Sequence, residues 1–371
     1  MDIERKLQAI EKALERLARH EADCRLCPRE CGADRAAGRL GFCGAGVQAR
    51  LARGLLHYGE EPVLSGTEDW PVHKPLGSAL RRGSGTIFFS GCSLKCLFCQ
   101  NYQLSWLGQG LPVTDEELAG LMLDLQARGA LNINFVTPGH VLLPILRSLR
   151  LAYRKGLALP LVWNSSGYEI ASTLAELERI TDIYLPDLKY FSPQASQRLA
   201  SAPDYFLQAC RAVEEMHRQR PALILDETGI AREGLIIRHL VLPGQHQDSI
   251  QILNWVREHL PPPVCLSLMG QYHPVFKPPE DLRRPLPPEE YRLVLDKAQE
   301  LGFETIFAQA EAYGAEEHLV PDFDREDPFG WDGPLGNQPL EIKGELDDVT
   351  GKVGGAGPRP ERPGPGPSRG A

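Results

Sequence analysis

Apolar residues recur at Ile3, Leu7, Ile10, Leu14 and Leu17, in alternating four- and three-residue steps. That spacing puts one apolar stripe on a helix over 3–18, enough to pack on a larger body and too short for a dimerising coiled coil. Residues 47–83 keep no period and are broken by Pro and Gly, so irregular chain is predicted there. From residue 84 short β-rich runs alternate with amphipathic runs of helical period. Strands are predicted at 86–90, 133–137, 161–164, 183–189, 235–242, 264–269 and 305–309. Helices are predicted near 140–155, 171–179, 203–219, 249–259 and 288–301. One more opens at Thr114, which has Glu117 three residues on, the spacing of a capping box. The runs 222–227 and 229–234 read as a hairpin leading into the strand at 235. Strands alternating with helices make βαβ units and a parallel sheet. Six or seven such units suit a partial (β/α)6 TIM-like barrel of the α/β class, with its chemistry in the loops at the C-terminal strand ends.

Composition sharpens this only in places. The 371 residues are 42% hydrophobic and 24% charged, as in an ordinary globular chain. The net charge of −9 is local: residues 316–350 hold eleven acids and two bases. The body up to residue 315 is nearly neutral, which argues against a nucleic-acid surface. The expected layout is an amphipathic helix (1–20), a Cys-rich metal-binding extension (21–83), the barrel (84–312), an acidic extension (313–350) and a disordered Gly/Pro tail (351–371). The acidic extension, with Phe329 and Trp331 embedded, reads by composition as mostly solvated linker, with a segment lying across the barrel as the alternative. The N-terminal twenty residues are charged throughout, unlike a signal peptide. The longest uncharged run, 96–114, is too rich in Gln, Asn and Gly to span a membrane. A cytoplasmic protein is expected. No P-loop or dinucleotide-binding Gly motif occurs.

The nine cysteines are the chemical signal, because seven fall in two clusters. Cys92, Cys96 and Cys99 form C-x3-C-x2-C directly after the first predicted barrel strand. Three thiolates on one loop can hold three corners of a [4Fe–4S] cluster and leave one iron open, or bind zinc with a distant fourth ligand. The loop resembles the cluster loop of the radical S-adenosylmethionine (SAM) enzymes, and Phe98 before the last cysteine fits that pattern. Within that superfamily the chain is similar to the pyruvate formate-lyase activating-enzyme-like group. The matching segments are SGCSLKCLFCQNYQLS, NINFVTPGH, WNSSGYE, DIYLPDLKY, RHLVLPG and SLMGQYHP.

The resemblance implies that Cys92, Cys96 and Cys99 ligate three irons and that SAM chelates the fourth. One-electron reduction then cleaves the C5′–S bond, and the 5′-deoxyadenosyl radical abstracts hydrogen from a substrate. It implies an external reductant such as flavodoxin or ferredoxin. The substrate is left open between glycyl-radical formation on a partner protein and attack on a small molecule. SAM contacts are expected from Phe98, Thr137, Asn164, Ser166, Asp187, Lys189 and Arg238. Thr137-Pro138-Gly139 stands where the superfamily often has Gly-Gly-Glu, a departure that removes the usual acidic contact. For Asp187, Lys189 and Arg238 the alternative is a structural ion-pair network in the barrel mouth. Tyr184 and Tyr190 read as packing.

Cys24, Cys27, Cys31 and Cys43 lie within 20 residues among Gly and Pro turns. Four thiolates close a site completely, as structural zinc or an auxiliary iron–sulfur cluster. Arg25, Arg29, Arg35 and Arg39 beside them read as solvated charge, with contact to a partner or substrate as the alternative. Cys210, Cys265 and His239 read as buried structural residues. The readings competing with a radical enzyme are a non-catalytic metalloprotein or assembly factor, and a radical modifier of RNA.

Overall fold

The computed structural model describes residues 2–67, 82–309 and 320–329. The first helix, α1 (Ile3–Leu17), is capped by Asp2, whose carboxylate accepts from Arg5 N at 3.1 Å. Its buried line of Lys6, Ile10, Ala13 and Leu17 lies on the barrel, as the apolar stripe requires. Lys6 is 5% exposed. Its Nζ donates to Asp182 and, at 2.8 Å, to the Ile180 carbonyl.

The barrel strands are β2 (Ser84–Phe89), β4 (Ile133–Val136), β5 (Leu161–Ser165), β6 (Ile183–Pro186), β8 (Ala231–Leu240), β9 (Cys265–Met269) and β10 (Thr305–Ala308). They are joined through α3 (Tyr102–Ser105), α4 (Asp115–Ala127), α5 (Leu142–Arg154), α6 (Ala171–Ala175), α7 (Pro193–Ala200), α8 (Tyr205–Gln219), α9 (His246–His259) and α10 (Pro288–Glu300). All seven strands pair in parallel, in the order β2-β4-β5-β6-β8-β9-β10. Six strand–helix passages and a closing strand therefore form an open barrel. The capping box is present: Glu117 N donates to Thr114 Oγ1 at 3.1 Å, and Thr114 N to Glu117 Oε2 at 2.7 Å. The expected hairpin is β7 (Ile224–Leu225) against the start of β8.

Two segments depart from expectation. Within the stretch read as irregular, β1 (Ala49–His57) runs antiparallel along β2, and β3 (Leu111–Val113) pairs antiparallel with β1. The middle of β1 is half-buried without alternation between its faces, so no period-2 pattern was written there. After β1 the chain turns into the barrel through the short helix α2 (Pro62–Ser65). Val63 and Leu64 pack on Val162, Ile183, Leu185, Ile236 and Cys265, the inward side chains of the parallel strands. Their neighbours Leu161, Trp163, Tyr184, Ile237 and Leu266 face the helices instead. Residues 62–65 are thus a plug that fills the barrel interior.

The acidic extension is the second correction. Residues 320–329 are docked, not solvated. Phe323 and Phe329 are buried with Leu55, Phe88 and Leu104. Gln103 donates to Asp322 at 3.0 Å and accepts from Phe323 N at 2.8 Å. Composition counted the acids, but two phenylalanines facing apolar strand residues outweigh them. Trp331 and the tail at 351–371 lie outside the described residues. Cys210 and Cys265 are buried core, as expected. No described helix is long and apolar enough to cross a membrane.

Candidate active site at the cysteine loop

A cavity of about 250 Å³ opens at the C-terminal ends of the strands. Cys92, Cys96 and Cys99 line it. So do Phe98, Thr137, Asn164, Ser166, Asp187, Lys189 and Arg238. The alternation of the strands delivers them, since each lies at or just past a strand end.

The loop after β2 is fixed by the backbone around it. Leu97 N donates to the Leu199 carbonyl at 2.9 Å, and Lys277 N to the Leu97 carbonyl at 3.0 Å. Cys92 Sγ accepts from Leu94 N at 3.3 Å and Lys95 N at 3.5 Å. Tyr190, read from sequence as packing, donates its hydroxyl to Cys96 Sγ at 3.1 Å. Phe98 packs edge-on against Tyr272, with ring centres 5.7 Å apart. Burial pushes the Cys96 thiol up to about 12 and the Cys99 thiol to about 11. Metal-free, these are neutral thiols. A bound metal is what would turn these two thiols into stable thiolates.

The polar wall comes from β4, β5, β6 and β8. Thr137 holds a left-handed conformation (φ 50°), costly for a β-branched residue. Its N–H donates to the Asn164 carbonyl at 2.7 Å, which ties the turn after β4 to the end of β5. Lys189 pairs with Asp187 at 2.8 Å. Burial works against the Lys189 cation. The ion pair and hydrogen bond with Asp187 outweigh it and hold the ammonium charged, above its ordinary range. Arg238 forks onto Glu61, at 2.7 Å from Nε and 2.6 Å from Nη2, and also bonds Glu60. Burial opposes ionisation of Glu60, but Arg238 and His57 outweigh it and keep its pKa below the ordinary carboxylate value. The ion pairs weighed as an alternative role therefore exist, and they line the same cavity.

Several lining residues escaped the sequence reading: His57, Glu60, Phe88, Asn101, Met269, Gln271, Pro321 and Phe329. Phe88 and Met269 sit at inward strand positions, where period-2 counting could have placed them. Glu60 and Phe329 carried no signal, because they come from the turn leading into the plug and from the docked extension. His239 is structural: its ring bridges the Leu188 carbonyl at 2.6 Å and Ser249 Oγ at 2.8 Å.

The N-terminal cysteines lie apart, and none of the four lines the cavity. Cys24 and Cys43 are buried, Cys27 half-buried and Cys31 exposed. The four are near enough that Cys24, Cys31 and Cys43 each disfavour a Cys27 thiolate, after burial, which alone is the largest cause and pushes it to about 12. Among the described residues no three His, Cys, Asp or Glu side chains already converge as a single-ion site does. A cubane spreads its ligands over several irons, so this does not bear on the loop at 92–99. At the N-terminal quartet a single ion would need the four thiols to draw closer together.

A parallel open barrel with a three-cysteine loop after its first strand defines a class. The radical SAM superfamily model matches residues 86–273, and the chain belongs to that superfamily. An uncharacterised protein of Methanocaldococcus jannaschii is 30% identical over 298 residues, spanning 77% of each chain. Among solved structures, a radical SAM methyltransferase from Sphaerobacter thermophilus aligns with TM-score 0.42 and 16% identity. It covers 61% of this chain, which in turn spans 66% of that one. Streptococcus suis SuiB bound to S-adenosylmethionine aligns with TM-score 0.38 and 13% identity over 60% of this chain, which spans 45% of SuiB. The family brings a [4Fe–4S] cluster and SAM, and the residues fit both: three thiols on one wall and polar strand ends on the other.

Proposed function

We propose that this chain is a radical SAM enzyme of the pyruvate formate-lyase activating-enzyme-like kind. The observation that carries the catalytic reading is the shared cavity, where three loop thiols face the polar ends of four consecutive parallel strands. Cys92, Cys96 and Cys99 hold the cluster. Phe98, Thr137, Asn164, Ser166, Asp187, Lys189 and Arg238 bind SAM. When bound, the pair supplies a 5′-deoxyadenosyl radical for hydrogen abstraction. The chain's own part is positioning. Asp187–Lys189 and Glu60–Glu61–Arg238 fix charges around the site, and Pro321 and Phe329 of the docked extension cover part of it. The segment similarity supports a protein substrate, with glycyl-radical formation as its chemistry, and a flavodoxin- or ferredoxin-type reductant. Cys24, Cys27, Cys31 and Cys43 hold a second metal.

The test is anaerobic reconstitution with iron and sulfide, then dithionite and SAM. 5′-Deoxyadenosine is expected from the wild type and not from the Cys92→Ala, Cys96→Ala, Cys99→Ala variant. An intact cluster that forms none would overturn the catalytic reading in favour of a non-catalytic metalloprotein.

A further inference from the structure

Arg29 lies between Cys27 and Cys31, and Arg35 between Cys31 and Cys43. Read as solvated charge, both instead reach into the barrel top. Arg29 donates from Nε to the Ser93 carbonyl at 2.9 Å and from Nη2 to the Leu94 carbonyl at 3.5 Å. The same guanidinium holds the Ala200 carbonyl at 2.8 Å and the Ser201 carbonyl. It is sandwiched between the rings of Phe42, at 4.0 Å, and Tyr168, at 5.2 Å. Arg35 is 6% exposed. Its Nη1 donates to the His140 carbonyl at 2.7 Å, and its Nη2 lies 3.6 Å from Cys43 Sγ. His140 Nε2 in turn bonds the Ser90 carbonyl at 2.8 Å. Gly91 has φ +89°, and a Cβ there would stand 2.4 Å from the Cys43 carbonyl oxygen. Residues 93 and 94 are thus gripped directly from the four-cysteine segment, Gly91 packs closely against it, residue 90 is linked to it through His140, and Cys92 sits among them.

The segment sends Leu26, Ala33 and Ala45 into the core but has almost no regular structure of its own to hold this grip. Residues 24–45 contain no helix and no strand beyond the isolated bridge between Cys24 and Ala33. The rest is turns, such as Glu30 N to the Cys27 carbonyl at 2.9 Å and Gly44 N to the Gly41 carbonyl at 3.0 Å. A lobe of this size needs a staple, and four thiols with no disulfide among them are the available one.

We propose that residues 24–45 are a metal-stapled brace for the catalytic cysteine loop, with Arg29 and Arg35 as its positioning residues. This rests on Cys92, Cys96 and Cys99 being the cluster ligands. Metal at the quartet is structural, and its loss is felt at Cys92 through the two arginines.

The experiment uses the full, reconstituted chain and its Arg29→Ala, Arg29→Lys, Arg35→Ala and Cys27→Ser variants. Arg39→Ala is the control, an exposed arginine bonded to Asp34. Two readouts are taken: the electron paramagnetic resonance line of the reduced cluster with and without SAM, and hydrogen exchange over 90–96. Arg29→Ala, Arg35→Ala and Cys27→Ser are expected to shift or broaden the line and to speed exchange roughly tenfold, as loss of charge-assisted hydrogen bonds allows. Arg29→Lys, which keeps the charge without the fork and guards against a misfolded alanine variant, should fall between them and the wild type. Wild-type line and exchange in Arg29→Lys and Cys27→Ser would overturn the brace. If the Cys92/Cys96/Cys99 triple alanine variant still shows a SAM-responsive line, the underlying ligand reading fails instead.

Discussion

Replacing Phe323 with Ala tests whether the docked extension is a separate closing element. Phe323 is 8% exposed and meets Phe88 edge-on, with ring centres 5.4 Å apart. Truncating a buried phenylalanine costs about 3–5 kcal/mol. Against that stand the Gln103 bonds to Asp322 and Phe323, the bond from Arg53 to the Arg325 carbonyl at 2.8 Å, and the bond from Gln109 to Asp324. Such bonds net about 1 kcal/mol each. Without Phe323 the segment keeps one buried phenylalanine and these bonds, too little to offset the entropy of ordering ten residues, so it is expected to undock while the barrel stays folded. Hydrogen exchange read by mass spectrometry should show residues 320–329 losing protection by about a hundredfold or more, since each 1.4 kcal/mol is tenfold. Barrel strands should exchange as in the wild type. Unchanged protection over 320–329, or loss of protection across the whole chain, would refute the reasoning.

Three further outcomes are expected. Glu169 is buried beside Trp163, whose Nε1 bonds its carboxylate at 3.0 Å, and burial raises its pKa to about 7 from 4.5. The unfolded chain releases this proton first, so stability falls as pH rises from about 4.5 to 7. Glu169→Gln should remove that loss, and its melting temperature should gain on the wild type between pH 5 and 8; parallel curves would count against it. Lys6→Met strands the buried Asp182 carboxylate and should cost about 3–5 kcal/mol in urea unfolding, with Asp182→Asn restoring part of it. Gly167 has φ +76°, and an added Cβ would stand 2.2 Å from the Asp187 carbonyl oxygen. Gly167→Ala should therefore cost more than the ~1–2 kcal/mol of a left-handed residue alone, read from thermal melting.

Much of the barrel was legible because each parallel strand must bury both faces and each helix one. Those demands write β-rich runs and a 3.6 period into the chain. The loop at 92–99 was legible for a different reason: a cluster needs its thiols close along one loop, so the site is local in sequence. Glu60, Phe329, Arg29 and Arg35 lacked both kinds of signal. Each takes its role from a partner between 64 and 241 residues away, such as Ser93 for Arg29 or Phe88 for Phe329.

By itself, then, the sequence determined the alternating architecture, the three-cysteine loop and the second cysteine quartet, since periodicity and ligand spacing are short-range properties. Only the tertiary structure decided that an irregular stretch plugs the barrel, that an acidic stretch packs by two phenylalanines, and that two arginines grip the cysteine loop. Burial against a distant partner can reverse what local composition favours, because apolar contact and desolvated hydrogen bonds depend on what lies across the fold.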